Sequence, residues 1–162
     1  MMIFRFFLLL IFISCTHAQK SIEETLDRYN NGSVPYISPS ELAGSDSYAV
    51  LDTRAWKEYQ VSHLKNSLWV GYRSFELEQV TKAFPDKNTP LVVYCSVGVR
   101  SEDIGEKLLA AGYTNVKNLY GGIFQWKIDG YPVFDPQGQP TSKVHAYSKQ
   151  WGVLLTNAEK VY

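Results

Sequence analysis

The sequence has little cysteine and no long run of one charge. Its two cysteines, Cys15 and Cys95, exclude the disulfide framework that stabilises many small secreted domains. Sixteen Lys and Arg balance sixteen Asp and Glu, and no five consecutive residues share a charge, which argues against a nucleic-acid surface or an acidic tail. The 162 residues are 45% hydrophobic, a composition typical of one globular domain. We therefore expect a small substrate and no nucleic-acid partner.

The sequence also lacks an apolar run long enough to cross a bilayer, which requires about 20 residues. The apolar stretch Phe6 to Ser14 is less than half that length, and a positive start and small residues ending at Ala18 flank it. This pattern predicts an export signal over residues 1–18. Cys15 leaves lipoprotein processing open, with a lipid anchor as the only membrane attachment. Either route predicts an exported protein, periplasmic or membrane-anchored, in which Cys95 is the one usable thiol.

Short apolar runs alternate with helical patterns along most of the remaining chain. The runs that predict buried strands are Tyr48 to Leu51, Leu68 to Val70, Leu91 to Tyr94 and Val116 to Leu119. Helices are predicted over residues 21–29, 38–43, 74–83, 101–111 and 123–129, the first two from capping-box patterns. Such alternation favours an α/β fold with a central, mostly parallel sheet and helices on both faces.

The chain divides into three parts after the predicted signal. Residues 19–35 are predicted to be an N-terminal helix and linker, and residues 36–135 the main domain. Residues 136–162 form a C-terminal extension that follows a polar, turn-rich segment and contains the aromatic residues Tyr147 and Trp151. Two interpretations of the extension are open: its aromatic residues pack back on the domain, or they form a docking surface for a partner.

Cys95 directly follows a predicted strand and precedes a predicted helix. Ligands of open α/β sheets bind beyond the carboxyl ends of the strands, so Cys95 lies where active sites occur. Backbone N–H groups of such a loop, together with the positive end of the helix, favour a thiolate over a buried inert thiol. Gly98 permits a positive φ in the loop. Arg100 is predicted either to contact an anionic substrate or to brace the loop through backbone carbonyls.

Other polar residues have simpler interpretations. Asp52 and Arg54 follow the first strand near the same edge, where an ion pair supporting the loop is favoured over a catalytic role. His63 is expected to be a hydrogen-bonded structural residue. It shows no metal-ligand spacing with His145 or Cys95, so the sequence predicts no metal and no cofactor.

Six segments of the chain, in the same order, resemble the rhodanese family of sulfurtransferases. They are Ile37 to Leu42, Leu51 to Arg54, Glu58-Tyr59 with Ser62 to Ser67, Tyr94 to Ser101, Gly112-Tyr113, and Leu119 to Ile123 with Trp126. The resemblance implies the rhodanese-like fold over residues 36–135 and identifies Cys95 as the nucleophile that carries sulfur. It also implies a substrate-binding loop made of Ser96, Val97, Gly98, Val99, Arg100 and Ser101.

The reaction implied by the resemblance moves a sulfane sulfur through a persulfide on Cys95. The expected donor is a small sulfur-containing anion, thiosulfate or a persulfide. The expected acceptor is cyanide, a small thiol or a protein thiol, since the folded part offers no second cysteine. Many catalytic members carry a cation directly after the cysteine, whereas this chain has Ser96, which argues against thiosulfate as the physiological donor.

Two other functions remain open. Cysteine phosphatases and arsenate reductases use a similar loop, but theirs resembles Cys-x5-Arg, whereas the spacing from Cys95 to Arg100 is one residue shorter. A shorter loop is expected to be too narrow for a tetrahedral phosphate. A binding or regulatory module without catalysis is the second alternative, although such modules often lack the cysteine.

Overall fold

Five strands form one sheet in this computed structural model, which describes residues 21–162. The strands are β1 (Tyr36–Ile37), β2 (Ala49–Asp52), β3 (Leu68–Trp69), β4 (Leu91–Tyr94) and β5 (Val116–Leu119). Their order is β1-β5-β4-β2-β3, and every neighbouring pair is parallel. The α/β fold predicted from the alternating pattern is therefore confirmed. The predicted export signal and Cys15 lie outside the described residues.

Seven helices accompany the strands in the described part of the chain. They are α1 (Ile22–Tyr29), α2 (Pro39–Ala43), α3 (Trp56–Tyr59), α4 (Leu77–Ala83), α5 (Val99–Ala110), α6 (Gly122–Ile128) and α7 (Lys149–Gly152). Ser21 and Ser38 begin the first two with complete capping boxes, as their sequences predict. None of the helices within residues 21–162 has the length and apolar character needed to span a membrane.

The central strand β4 buries side chains on both of its faces. Val92 and Tyr94 join a cluster with apolar residues of α1, α2 and α6. Leu91 and Val93 point the other way and join a second cluster with residues of α4 and α5. Because successive strand residues face opposite sides, this alternation places one hydrophobic layer on each face of the sheet. The carboxyl end of β4 is therefore fixed from both sides.

The C-terminal extension packs against the main domain. Its strands are β7 (Pro140–Thr141), which pairs with β6 (Val133–Phe134) at the end of the main domain, and β8 (Lys143–His145) and β9 (Glu159–Val161), which pair in parallel with each other. The buried side chains that join the first cluster are Val144, Ala146, Leu154 and Leu155, with Trp151 partly buried against them. The extension is thus held mainly by aliphatic side chains, and its aromatic residues lie nearer the surface.

Candidate active site

Cys95 lies in the turn between β4 and α5. Gly98 is the N-cap of α5 and has a φ of 105°, a conformation that favours glycine. Its N–H donates a hydrogen bond to Cys95 Sγ at 3.2 Å. The cysteine is only 1% exposed, yet it lines a cavity of about 250 Å³ beside the loop. The thiol therefore faces a space that a small substrate can enter.

The surroundings of the thiol favour its ionised form. Burial opposes ionisation, but the positive charge of Arg100 and hydrogen bonds from Ser101 and Gly98 outweigh it. The pKa of Cys95 consequently lies below its ordinary value. Because the thiolate is the nucleophilic form of cysteine, this shift increases reactivity near neutral pH.

Arg100 is held by a buried carboxylate. Its two terminal nitrogens each lie 2.8 Å from an oxygen of Glu58, and one of them also donates to Ser96 Oγ at 2.9 Å. Burial raises the pKa of Glu58, but the hydrogen bonds and the charge of Arg100 have the larger combined effect with its neighbours and lower it to about 2. Of the two roles predicted for Arg100, the structure shows the bracing of the loop. The contacts are made to the side chains of Glu58 and Ser96 rather than to backbone carbonyls.

Two amides hold the carbonyl group of Gly98. Asn118 donates to it at 2.8 Å and Asn30 at 3.0 Å. The fully buried Ser101 donates its hydroxyl proton to Asn118 Oδ1 at 2.8 Å. These contacts join α1, β5 and the start of α5, so the N–H of Gly98 stays directed at the sulfur.

The first turn of α6 packs against the backbone of the loop. The N–H groups of Ile123 and Phe124 donate to the carbonyl oxygens of Cys95 and Ser96 at 2.9 and 3.0 Å. Gly122 approaches so closely that a Cβ added there would overlap the carbonyl oxygen of Cys95. The two backbones can meet only because this position has no side chain.

The remaining residues of the predicted loop differ in where they point. Val97 is buried in the first hydrophobic cluster and also borders the cavity, and Val99 is half-buried at the cavity wall. The predicted loop is thus divided in the structure: residues 95–98 form the turn, and residues 99–101 begin α5. Only part of that loop, however, presents side chains to the cavity, because Ser101 is turned inward to Asn118.

Asp52 and Arg54 form a buried ion pair in the core. Arg54 Nη2 lies 2.6 Å from the Asp52 carboxylate and donates to the carbonyl of Ser62 at 2.6 Å. Burial lowers the pKa of Arg54, but the carboxylate of Asp52 overcomes this and raises it. Neither side chain lines the cavity beside Cys95. The pair fixes the end of β2 and does not reach the reacting atom.

The site roles of two groups of residues were not predicted from the sequence, although Glu58 lies in a segment that resembles the family and Tyr147 and Trp151 lie in the aromatic extension. Glu58 and Asn118 hold the loop, and no short motif links either of them to position 95. Tyr29, Tyr147 and Trp151 line the cavity together with the loop. They come from α1 and the C-terminal extension, so only the folded chain places them near the thiol. Within residues 21–162, no three His, Cys, Asp or Glu side chains are grouped to hold a metal ion.

Comparison of the sequence with known proteins gives a family and two kinds of relative. The rhodanese-like domain family matches residues 40–129. A tRNA uridine(34) hydroxylase of Streptococcus thermophilus is 36% identical over 102 residues, which cover 58% of this chain and 31% of that protein. The thiosulfate sulfurtransferase GlpE of Coxiella burnetii is 29% identical over 94 residues, which cover 58% of this chain and 85% of that protein. The chain thus spans less than a third of the hydroxylase and most of the sulfurtransferase.

Solved structures agree with this comparison. A rhodanese-related protein from Thermoplasma volcanium matches with a TM-score of 0.54 and 30% identity, covering 61% of this chain and 96% of that one. A thiosulfate sulfurtransferase from Pseudomonas aeruginosa matches with a TM-score of 0.57 and 26% identity, covering 65% of this chain and 21% of that one. By sequence and by structure, the chain belongs to the rhodanese-like domain family.

Proposed function

We propose that this protein is a sulfurtransferase that carries a sulfane sulfur as a persulfide on Cys95. The observation that carries the proposal is the position of its thiol: Sγ accepts the Gly98 N–H at 3.2 Å at the start of a twelve-residue helix and faces a cavity. Relatives named as thiosulfate sulfurtransferases support the same class of reaction.

The first half of the reaction loads the cysteine. The Cys95 thiolate attacks the outer sulfur of the donor and forms a new S–S bond. The bond between that sulfur and the rest of the donor breaks, and its electron pair leaves with sulfite from thiosulfate or with a thiolate from a persulfide. The Gly98 N–H and the positive end of α5 stabilise the anionic sulfur, in the manner of an oxyanion hole.

The second half returns the enzyme to its starting form. An acceptor nucleophile, such as cyanide or a thiolate, attacks the outer sulfur of the Cys95 persulfide. The S–S bond breaks, and its electron pair returns to Cys95 as a thiolate. Cys95 is the one cysteine within the described residues, so this part of the chain offers no second thiol as acceptor. We propose a small thiol, cyanide or the thiol of a partner protein in this role.

Mass spectrometry of the intact protein tests the proposal. The full chain carrying Cys15→Ser is incubated with thiosulfate or with an organic persulfide, and the same is done after Cys95→Ser. We expect one added sulfur in the first protein, none in the second, and thiocyanate on addition of cyanide. No added sulfur from either donor would contradict the proposal and favour a binding module. Release of phosphate from an aryl phosphate without thiocyanate would instead favour a phosphatase.

A further inference from the structure

Three aromatic side chains build one side of the cavity beside Cys95. Tyr29 ends α1, while Tyr147 and Trp151 come from the C-terminal extension. The Tyr29 and Trp151 rings contact each other with centroids 6.1 Å apart. The family match covers residues 40–129, so all three lie outside it. This wall is thus an addition to the family domain made by the ends of the described chain.

The wall is held in place by the packing of the extension. The backbone N–H of Tyr147 donates to His145 Nδ1 at 3.0 Å, and the preceding N–H of Ala146 donates to the carbonyl of Val161 at 2.8 Å. Ala146 itself is fully buried. Tyr147 has a φ of 63°, and the Cζ atom of Arg100 lies 4.8 Å from the centroid of its ring. The cavity therefore exists before a substrate enters.

The cavity has little positive charge to offer a substrate. Of the described residues that line it, only Arg100 is charged, and both terminal nitrogens of that side chain are engaged by Glu58. The position after the cysteine is Ser96, whose hydroxyl faces the same ion pair. The faces of aromatic rings carry partial negative charge. Among the described residues that line the cavity, aromatic rings stand where a second cation is missing, so a donor with a second negative charge next to its sulfane sulfur is disfavoured.

An apolar group in the same place is favoured. Burying an aromatic ring against other rings removes apolar surface from water and adds ring-ring contacts. Apolar cavities of about 150 Å³ are large enough to bind benzene. The cavity of about 250 Å³ therefore has room for one ring and the group that carries the sulfur.

We propose that Tyr29, Tyr147 and Trp151 make the site selective for a singly charged sulfane-sulfur donor with an apolar organic group, over the thiosulfate dianion. The inference rests on the proposed sulfur transfer. The Cys95 thiolate takes the outer sulfur of R–S–S⁻ or R–SO₂–S⁻, the bond from that sulfur to the donor breaks, and R–S⁻ or R–SO₂⁻ leaves with its electron pair. No oxidant or reductant is needed.

Two matched probes test the selectivity. Methanethiosulfonate and benzenethiosulfonate have the same charge and differ only in the group that replaces one oxygen of thiosulfate. The rate at which each adds sulfur to Cys95 is measured by mass spectrometry in the full chain with Cys15→Ser. Each rate is divided by the rate of the same donor with a free small thiolate, which removes differences in intrinsic reactivity. We expect the normalised rate for benzenethiosulfonate to be about tenfold higher, and that for thiosulfate to be the lowest.

Variants locate the source of the preference. Tyr29→Leu and Trp151→Leu should each reduce the ratio between the two thiosulfonates by several-fold. Tyr48→Leu is the matched control, because Tyr48 precedes β2 at the opposite end of the parallel sheet from Cys95, and it should leave the ratio unchanged. Circular dichroism checks the fold of each variant. If Trp151→Leu does not fold, the proposed selectivity is still tested by Tyr29→Leu and by the ratio in the unaltered protein.

The outcomes separate the inference from the proposed function. Equal normalised rates for the two thiosulfonates, or a preference that survives both aromatic substitutions, would overturn the inference while sulfur transfer stands. Failure of all three donors to add sulfur to Cys95 would overturn the proposed function itself, and the inference with it.

Discussion

Breaking the contact between Arg100 and Glu58 should destabilise the protein in a way that depends on pH. Arg100→Gln leaves the Glu58 carboxylate, whose side chain is 1% exposed, without its main partner. In the intact protein the pKa of Glu58 is about 2, compared with its usual value of 4.5. At about 1.4 kcal/mol per pKa unit, this difference corresponds to about 3 kcal/mol of stability at neutral pH. Single deletions in buried ion pairs cost about the same.

The sign of the pH dependence follows from the two proteins' pKa values. In the unaltered protein the lowered pKa of Glu58 contributes stability above pH 4.5, and this contribution is lost as the pH falls toward 2. In the variant, Arg100 no longer offsets the effect of burial, so the pKa of Glu58 is higher than in the unaltered protein. The variant therefore loses stability as the pH rises and the buried carboxyl ionises. The difference in unfolding free energy between the two proteins should therefore shrink from pH 7 to pH 3.

Urea unfolding at several pH values measures this difference. Domains of this size are usually stable by about 5–15 kcal/mol, so the variant should remain folded at pH 7. The double variant Glu58→Gln with Arg100→Gln is the control, because it removes both charges. We expect it to be more stable than Arg100→Gln alone at pH 7 by about 2 kcal/mol. A loss below about 1 kcal/mol for Arg100→Gln, or no recovery in the double variant, would refute the reasoning.

Three substitutions test the support of the loop. Gly122→Ala should lower the unfolding free energy by at least about 3 kcal/mol, because its Cβ overlaps the carbonyl oxygen of Cys95. Gly112→Ala, also at positive φ but in open space, should cost only about 1 kcal/mol, and equal losses would contradict the overlap. Ser101→Ala leaves the buried Asn118 Oδ1 without its donor and should lower the unfolding free energy by about 1–2 kcal/mol; a loss below about 0.5 kcal/mol would show that this hydrogen bond does not hold the loop. Asn118→Ala should lower the unfolding free energy measured in urea by about 2 kcal/mol, because it removes the amide that holds the Gly98 carbonyl. Thr114→Ala, at an exposed position, should lower it by less than about 0.5 kcal/mol. A smaller difference between the two variants would show that the Asn118 amide is dispensable.

The sequence predicts the fold because local patterns and core packing agree. The strand Leu91–Tyr94 is apolar throughout and is buried on both faces, so its short run is a strong signal. The helix after it begins at Val99, two residues before the predicted start, since the loop residues already adopt helical geometry behind Gly98. The two-residue strand Tyr36–Ile37 and the one-turn helix Trp56–Tyr59 were not predicted, because they are too short to show a period.

The site is only partly visible in the sequence. Cys95 and its loop are contiguous, so the spacing of a cysteine, a glycine and an arginine indicates them. Glu58 reaches Arg100 across 42 positions, and Tyr147 reaches it from the C-terminal extension. Pairings of this kind depend on which sheet edge and which layer each segment occupies. A single sequence carries no local pattern for them.

The pH dependence of Cys95 alkylation tests the central claim most directly. The full chain with Cys15→Ser is treated with iodoacetamide at a series of pH values, and the rate of modification at Cys95 gives the pKa of the thiol. We predict a midpoint below that of a free cysteine measured in the same way, and a higher midpoint after Arg100→Gln. A midpoint at or above that of a free thiol in the otherwise unaltered chain would contradict a stabilised thiolate at position 95.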